Sequence, residues 1–211
     1  VISLATADVN EIKREDVCAN GLNPENGCFL SLSDAFIQDA TLLTVPSVPG
    51  NAAIQILAAD YTADEIAPAV VTRGFTSFDL NSGQITLSFT ETVDRSTLDG
   101  TTITLQSFID SPDYTFTLEP VTVVSSTDGT TLVFSVSESD LNQIKINPNL
   151  CTLRMNCYLH FNASMIADMA GNSIEASVTD PNERVALLSY AQQLTTDTTD
   201  PSVLSFSLNM D

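Results

Sequence analysis

Between residues 71 and 199 the chain alternates apolar and polar positions in short runs. In QITLSF (84–89), Ile85, Leu87 and Phe89 alternate with polar neighbours, the period of a half-buried strand. TTITLQ, YTFTLEP and VTVVSS show the same alternation, and LVFSVS, YLHF and VALLSY complete the set. Asn81-Ser82-Gly83, between FTSFDL and QITLSF, predicts a hairpin turn, and Thr127-Asp128-Gly129-Thr130 a second turn. Short alternating strands separated by Gly, Asp and Asn predict an all-β sandwich. One segment departs from period two. Asp140-Leu141-Asn142-Gln143 places a carboxylate at an N-cap position with a Gln three residues on, and Asp8-Val9-Asn10-Glu11 does the same. With Leu141/Ile144 and Val9/Ile12 as buried pairs, each site predicts one short helical turn. The shared Asp and Asn could instead mark a metal or ligand site, but capping explains their spacing locally.

These patterns recur. Residues 1–13, VISLATADVNEIK, match residues 133–145, VFSVSESDLNQIK. The loop holding Cys18 and Cys28 matches the loop holding Cys151 and Cys157. CFLSLSDAFIQD (Cys28 to Asp39) aligns with CYLHFNASMIAD (Cys157 to Asp168). A Gly-Asn pair follows in each, Gly50-Asn51 and Gly171-Asn172, after an insertion in the first copy. YTADEIAP (61–68) matches LTTDTTDP (194–201), and GFTSFDLNSG (74–83) matches SVLSFSLNMD (202–211). The period is about 130 residues, the size of one domain. The expected division is therefore 1–67 as the C-terminal part of one repeat, 71–199 as a complete repeat, and 202–211 as the first strand of the next. On this reading the sequence is a window of a longer array, or its last strand is donated to a neighbouring subunit.

Composition narrows the function classes. The 211 residues carry 27 acidic and 7 basic side chains, a formal net charge of −20. Nucleic acid and anionic lipid require clustered Lys and Arg, so neither is an expected partner. No apolar run is long enough to span a bilayer as a helix, and membrane insertion is not expected. A hydrophobic fraction of 43% is enough for packed cores. Lysine is scarce, and Thr, Ser, Asn and Asp dominate the polar residues, a mix common in secreted surface proteins.

FDLNSGQITLSFTETVD, the D-x-x-G-N run from Asp168 to Asn172, and the linker DTTDP resemble bacterial-type immunoglobulin-like repeats, including those of S-layer-associated proteins. The chain also resembles the giant tandem-repeat surface proteins of microbes and algae. The resemblance covers nearly the whole chain. It implies an immunoglobulin-like β-sandwich in tandem copies, located extracellularly or at the cell surface. The implied function is structural: a subunit or segment of a filament or surface fibre. An adhesin or glycan-binding stalk is the alternative, and a carbohydrate-active enzyme ranks below both. The DxNxIK turn with its cysteine loop departs from the general bacterial pattern.

The chemistry follows from a few residue types. Two cysteine pairs at matching positions predict local disulfides, Cys18–Cys28 and Cys151–Cys157, and an oxidising compartment. Each closes a short loop worth about 2–3 kcal/mol on the loop-entropy model. A zinc site fails on ligand count, because the chain has a single histidine and the pairs lie in different copies. His160 is the lone imidazole, and its counterpart is Ser31, so the repeat does not need a base there. No GxSxG, HExxH, P-loop or GxGxxG motif occurs, and no catalytic residues are expected. Asn162-Ala163-Ser164 is an N-glycosylation sequon, making covalent glycans candidate partners. No cofactor is required. If one binds, calcium is the candidate, held at a domain junction by Glu91, Asp94, Asp168, Asp197 and Asp200, with Asp64 and Glu65 in the equivalent preceding linker. The main expected partner is the protein itself, head to tail or as adjacent covalent repeats. In SVLSFSLNMD, Leu204, Phe206 and Leu208 form an apolar edge expected to act as an assembly strand, ordered by contact with the next domain or subunit.

Overall fold

The computed structural model describes residues 3–15, 17–18, 28–109, 112–177, 191–203 and 205–210. It begins with α1 (Thr6–Arg14), followed by the short paired strands β1 (Phe29–Leu30) and β2 (Ile54–Gln55). The main body runs through β3 (Val70–Asp79), β4 (Gln84–Asp94), β5 (Ile103–Gln106), β6 (Thr115–Thr117), β7 (Thr122–Val123) and β8 (Gly129–Ser135). It continues with α2 (Glu138–Ile146), β9 (Tyr158–Phe161), β10 (Ala167–Asp168) and β11 (Gln193–Thr195). One sheet has the order β11-β3-β4-β8-β7, with β10 also paired to β4; the other has the order β6-β5-β9. All pairings are antiparallel except β11 with β3, which is parallel.

Phe75, Phe78, Ile85, Leu87, Leu132 and Phe134 of the first sheet share one apolar cluster with Ile103, Leu105, Leu159 and Phe161 of the second. Two sheets around one core are compatible with a β-sandwich. The predicted hairpin is present. Gly83 has φ +70°, which glycine adopts without strain, and its N–H donates to the Asp79 carbonyl at 2.8 Å. In β3 strict alternation gives way to a bulge, because the register against β4 shifts between Phe75 and Ser77. The inward residues are therefore Phe75, Phe78 and Leu80. The expected strand VALLSY (185–190) lies outside the described residues.

The helices differ from expectation. Each is nine residues long rather than a single turn. The N-cap of α2 is Ser137, whose hydroxyl accepts from Asp140 N–H at 3.0 Å. Asp140 instead sits inside the first turn, and its carboxylate accepts from Glu119 N–H at 2.8 Å, pinning the helix to the preceding loop. α1 has no side-chain cap. Leu141 and Ile144 are buried as expected, whereas Val9 and Ile12 are only half-buried.

Residues that align in sequence share local geometry. α1 and α2 occupy the same aligned span. Cys18 and Cys151, the first cysteine of each pair, both have positive φ, 69° and 51°. Both disulfides form, Cys18–Cys28 and Cys151–Cys157. Asp39 N–H donates to Leu43 O at 3.0 Å, and Asp168 N–H to Asn172 O at 3.0 Å. The isolated bridges Gln38–Thr44 and Ala167–Ser173 flank these two turns. In this geometry Leu42-Leu43 occupies the place of Gly171-Asn172, whereas Gly50-Asn51, aligned with it by sequence, starts a short 3-10 turn. The aligned side chains differ in burial. Leu159, Met165 and Ile166 are buried, and their counterparts Leu30, Phe36 and Ile37 are exposed.

Every member of the apolar cluster lies between Val70 and Ala191. The fragment 68–211 therefore retains the whole core, and it keeps the Pro68 carbonyl that accepts from Glu175 N–H at 2.9 Å. It is expected to unfold cooperatively in urea, with native-like near-ultraviolet dichroism. Within it, Phe78→Ala should cost about 3–5 kcal/mol, the usual loss for a fully buried Phe.

Candidate functional site: a lysine-centred junction

α1 lies across the end of β4, where the sheet pattern breaks. The β4–β8 register shifts between Ser88 and Val93, and Glu91, Thr92 and Val93 are buried in succession rather than alternately. That irregularity turns Glu91 and Thr92 toward the helix. Thr92 Oγ1 donates to the Asn10 carbonyl at 2.8 Å, and Thr92 N–H donates to Asn10 Oδ1 at 3.3 Å. Ala7, Glu11 and Arg14 line the same groove, opposite Gly129 and Thr130 at the start of β8.

Lys13, one turn after Asn10, reaches the centre of an acidic cluster. Its Nζ is 2.6 Å from Asp64 Oδ2 and is also hydrogen-bonded to Glu91 Oε2. Asp64, Glu91 and Asp168 carry oxygens that all lie within 4.8 Å of one another. Asp168 is oriented by its own turn: it accepts from Ala170 N–H at 2.9 Å and from Asn172 N–H and Nδ2 at 2.8 Å each. Asn172 Nδ2 also donates to the Asp64 carbonyl at 3.1 Å, which ties the linker to this turn.

The two partners at the centre shift in the same direction for different reasons. Burial holds the Glu91 carboxyl above its ordinary value. The Lys13 ammonium opposes this without overcoming it, and the charges of Asp64 and Asp168 add a smaller push upward. Burial works against the charge on Lys13, yet its hydrogen bonds to Asp64 and Glu91 and their charges outweigh it, so its pKa is raised. The single ammonium is shared between Asp64 and Glu91, while Asp168 is satisfied by its own turn.

Three oxygen ligands of this kind suit a hard divalent cation, but the Lys13 ammonium lies among them and provides positive charge from the chain itself. The structure brings together Glu91 and Asp168 from the five residues expected to ligate calcium, with Asp64, named with Glu65 as the equivalent carboxylates of the preceding segment. Asp94 is elsewhere engaged, its carboxylate accepting from Ser96 N–H at 2.8 Å and Ser96 Oγ at 2.6 Å. Asp197 pairs with Lys145 at 2.9 Å, and its carboxyl is held below the ordinary value by that hydrogen bond first. Asp200 is exposed.

The Lys145–Asp197 pair repeats Lys13–Asp64, since Lys145 aligns with Lys13 and Asp197 with Asp64. These are the only two lysines in the chain. The DxNxIK motif was legible in the sequence, but the role of its lysine, and of Asn10 and Thr92, was not. The recurrence of so rare a residue was the available signal.

The remaining candidates stand apart. Asn162 is exposed in the turn after β9, and its Oδ1 accepts from Ser164 N–H at 2.8 Å. His160 Nδ1 is 2.7 Å from Ser177 Oγ, a hydroxyl also engaged with the Phe161 backbone. Phe206 and Leu208 are 87% and 75% exposed, and Leu204 lies outside the described residues. Comparison with protein-family models, curated proteins and solved structures returns no match.

Lys13→Met leaves the carboxylates without their cation. It is expected to weaken α1 docking by about 1–2 kcal/mol, less than a fully buried pair because Lys13 retains some exposure. Faster hydrogen exchange of α1 amides would report the loss. Glu91→Gln, which removes a charge disfavoured by burial, should change docking by about 0.5 kcal/mol or less. The raised Lys13 pKa also sets a sign. Its stabilisation is complete below the ordinary lysine value of about 10.4 and is lost as pH rises through the raised value. Protection of α1 should accordingly fall on strong alkalinisation in the wild type and be less alkali-sensitive in Lys13→Met.

Proposed function

We propose that this chain is part of an extracellular filament or surface fibre built from tandem immunoglobulin-like repeats, with residues 71–199 as one complete repeat. The observation that carries the reading is the local structure shared by aligned positions: helix span, cysteine loop, Asp-centred turn and Lys–Asp pair. A repeat that docks its helix and linker onto the next repeat gains length without new chemistry. The role is mechanical and non-catalytic. The two disulfides fit an oxidising, non-cytosolic compartment. Among the described residues no helix is long and apolar enough to cross a membrane. Asn162 is placed where a glycan would project into solvent, and calcium would enter only at the junction carboxylates.

In this reading residues 202–211 act as the first strand of a further repeat. The expected inward residues are Leu204, Phe206 and Leu208; by alignment with Phe75, Phe78 and Leu80, which the β3 bulge turns inward, we infer that Val203 takes the place of Leu204 beside Phe206 and Leu208. Electron microscopy of the native secreted material tests the reading: filaments with a regular axial repeat are expected. Phe206→Asp should disrupt the joint and leave residues 71–199 folded. Isolated globular monomers with a saturable sugar site would overturn the filament reading in favour of an adhesin.

A further inference from the structure

The outward face of α2 matches the face that α1 uses at the junction. Ala7, Asn10, Glu11 and Arg14 of α1 face β4 and β8. Their aligned counterparts, Ser139, Asn142, Gln143 and Ile146, are all exposed, Ile146 by 76%. The opposite face of α2, through Leu141 and Ile144, is buried in its own core. Beside the outward face stands Lys145 with Asp197, aligned with Lys13 and Asp64. Half of the junction is thus built a second time, without the Glu91–Asp168 half.

We propose that this α2 face, with Lys145 and Asp197, docks the Glu91–Asp94 end of β4 in a second copy of the domain, placing Asn142 on that copy's Thr92 and Lys145 against its Glu91 and Asp168. The proposal rests on the array reading and names the contact that propagates it. Two observations select this occupant. The aligned face of α1 already sits on that end of β4 through Asn10–Thr92 hydrogen bonds. The charges are also complementary: the β4 end presents Glu91 and Asp168, and among the described residues Lys145 pairs with one carboxylate where Lys13 pairs with two. The interface is heterologous, so it leaves a free α2 face on one terminal copy and a free β4 end on the other, and it propagates in one direction.

The fragment 68–211, which contains every described core residue, carries both surfaces with the end of β4 clear of α1. A nuclear magnetic resonance dilution series from millimolar concentration at physiological salt should shift the Thr92 and Asn142 amides together as the protein associates. Lys145→Glu and Glu91→Lys should each weaken association by about tenfold or more, and the fragment carrying both should recover it, because the pair is restored with reversed sign. Circular dichroism checks that each variant remains folded. The full chain, in which α1 covers the end of β4, should bind the fragment without associating with itself. Absence of association, or association indifferent to Lys145→Glu, overturns the proposal; indifference would assign the contact to the exposed side chains Phe206, Leu208 and Met210. If this joint fails while native filaments are still seen, the array reading survives. If native material is monomeric, the array reading itself fails.

Discussion

One ammonium among three carboxylates governs where residues 6–14 and the linker at Asp64 can sit. Two unit charges about 4.8 Å apart repel by about 3–4 kcal/mol at an effective dielectric near 20. Asp64, Glu91 and Asp168 could not share this half-buried place if all were ionised and nothing opposed them. Lys13 removes most of that repulsion. The hydrogen bonds between Asn10 and Thr92 then hold the helix in the orientation that delivers the lysine. In a chain of net charge −20 with two lysines, each ammonium is a scarce resource, and both lie beside a linker aspartate.

The β-domain prepares its side of this contact through an irregularity. Regular β4 alternation from Ile85 to Phe89 buries three apolar side chains in the sandwich interior and turns polar neighbours out. Beyond Ser88 the register with β8 slips, and Glu91 and Thr92 are covered together while Val93 stays in the core. A strictly regular strand would have placed Glu91 in the apolar interior, where an ionised carboxylate is costly, or Thr92 out of reach of Asn10. β10 closes the arrangement by pairing Asp168 with Val93, which brings the Asp168 turn to the same end of the sheet.

The strands were legible because period-two burial is a local property: TTITLQ and YLHF form strands near their expected limits, and QITLSF starts β4 as expected, although the strand runs on to Asp94. The disulfides were legible because recurrence paired the cysteines. The bulges in β3 and β4 were not, since register depends on partners far along the chain. The helices were underestimated because Ser137, the actual cap, stands three residues before the Asp140 assigned that role. For the site, Asp64, Glu91 and Asp168 were all among the named carboxylates, but the lysine at their centre was not. Lys13 and Thr92 are 79 residues apart, and only folding reveals that Asn10 and Thr92 meet. Asp94 and Asp197 were equally acidic in sequence, and each satisfies a local demand instead.

The parallel pairing of β11 with β3 has a consequence for how tension would pass through the domain. The chain enters at the start of β3, at Val70, and leaves after β11, at Thr195, which lies beside Asp79 at the far end of β3. Pulling on these two points draws the strands lengthwise past each other. Their pairings, together with the bonds from Gln192 N–H to Phe75 O and from Leu80 N–H to Thr195 O, are then strained at once in shear. A hairpin pulled at its open end would unzip one rung at a time. Joining first and last strands in parallel thus lets a few backbone bonds resist as a group, and Asn81, bonded to Thr196 O, Thr198 N–H and Thr199 Oγ1, clamps the exit of the chain where that strain begins.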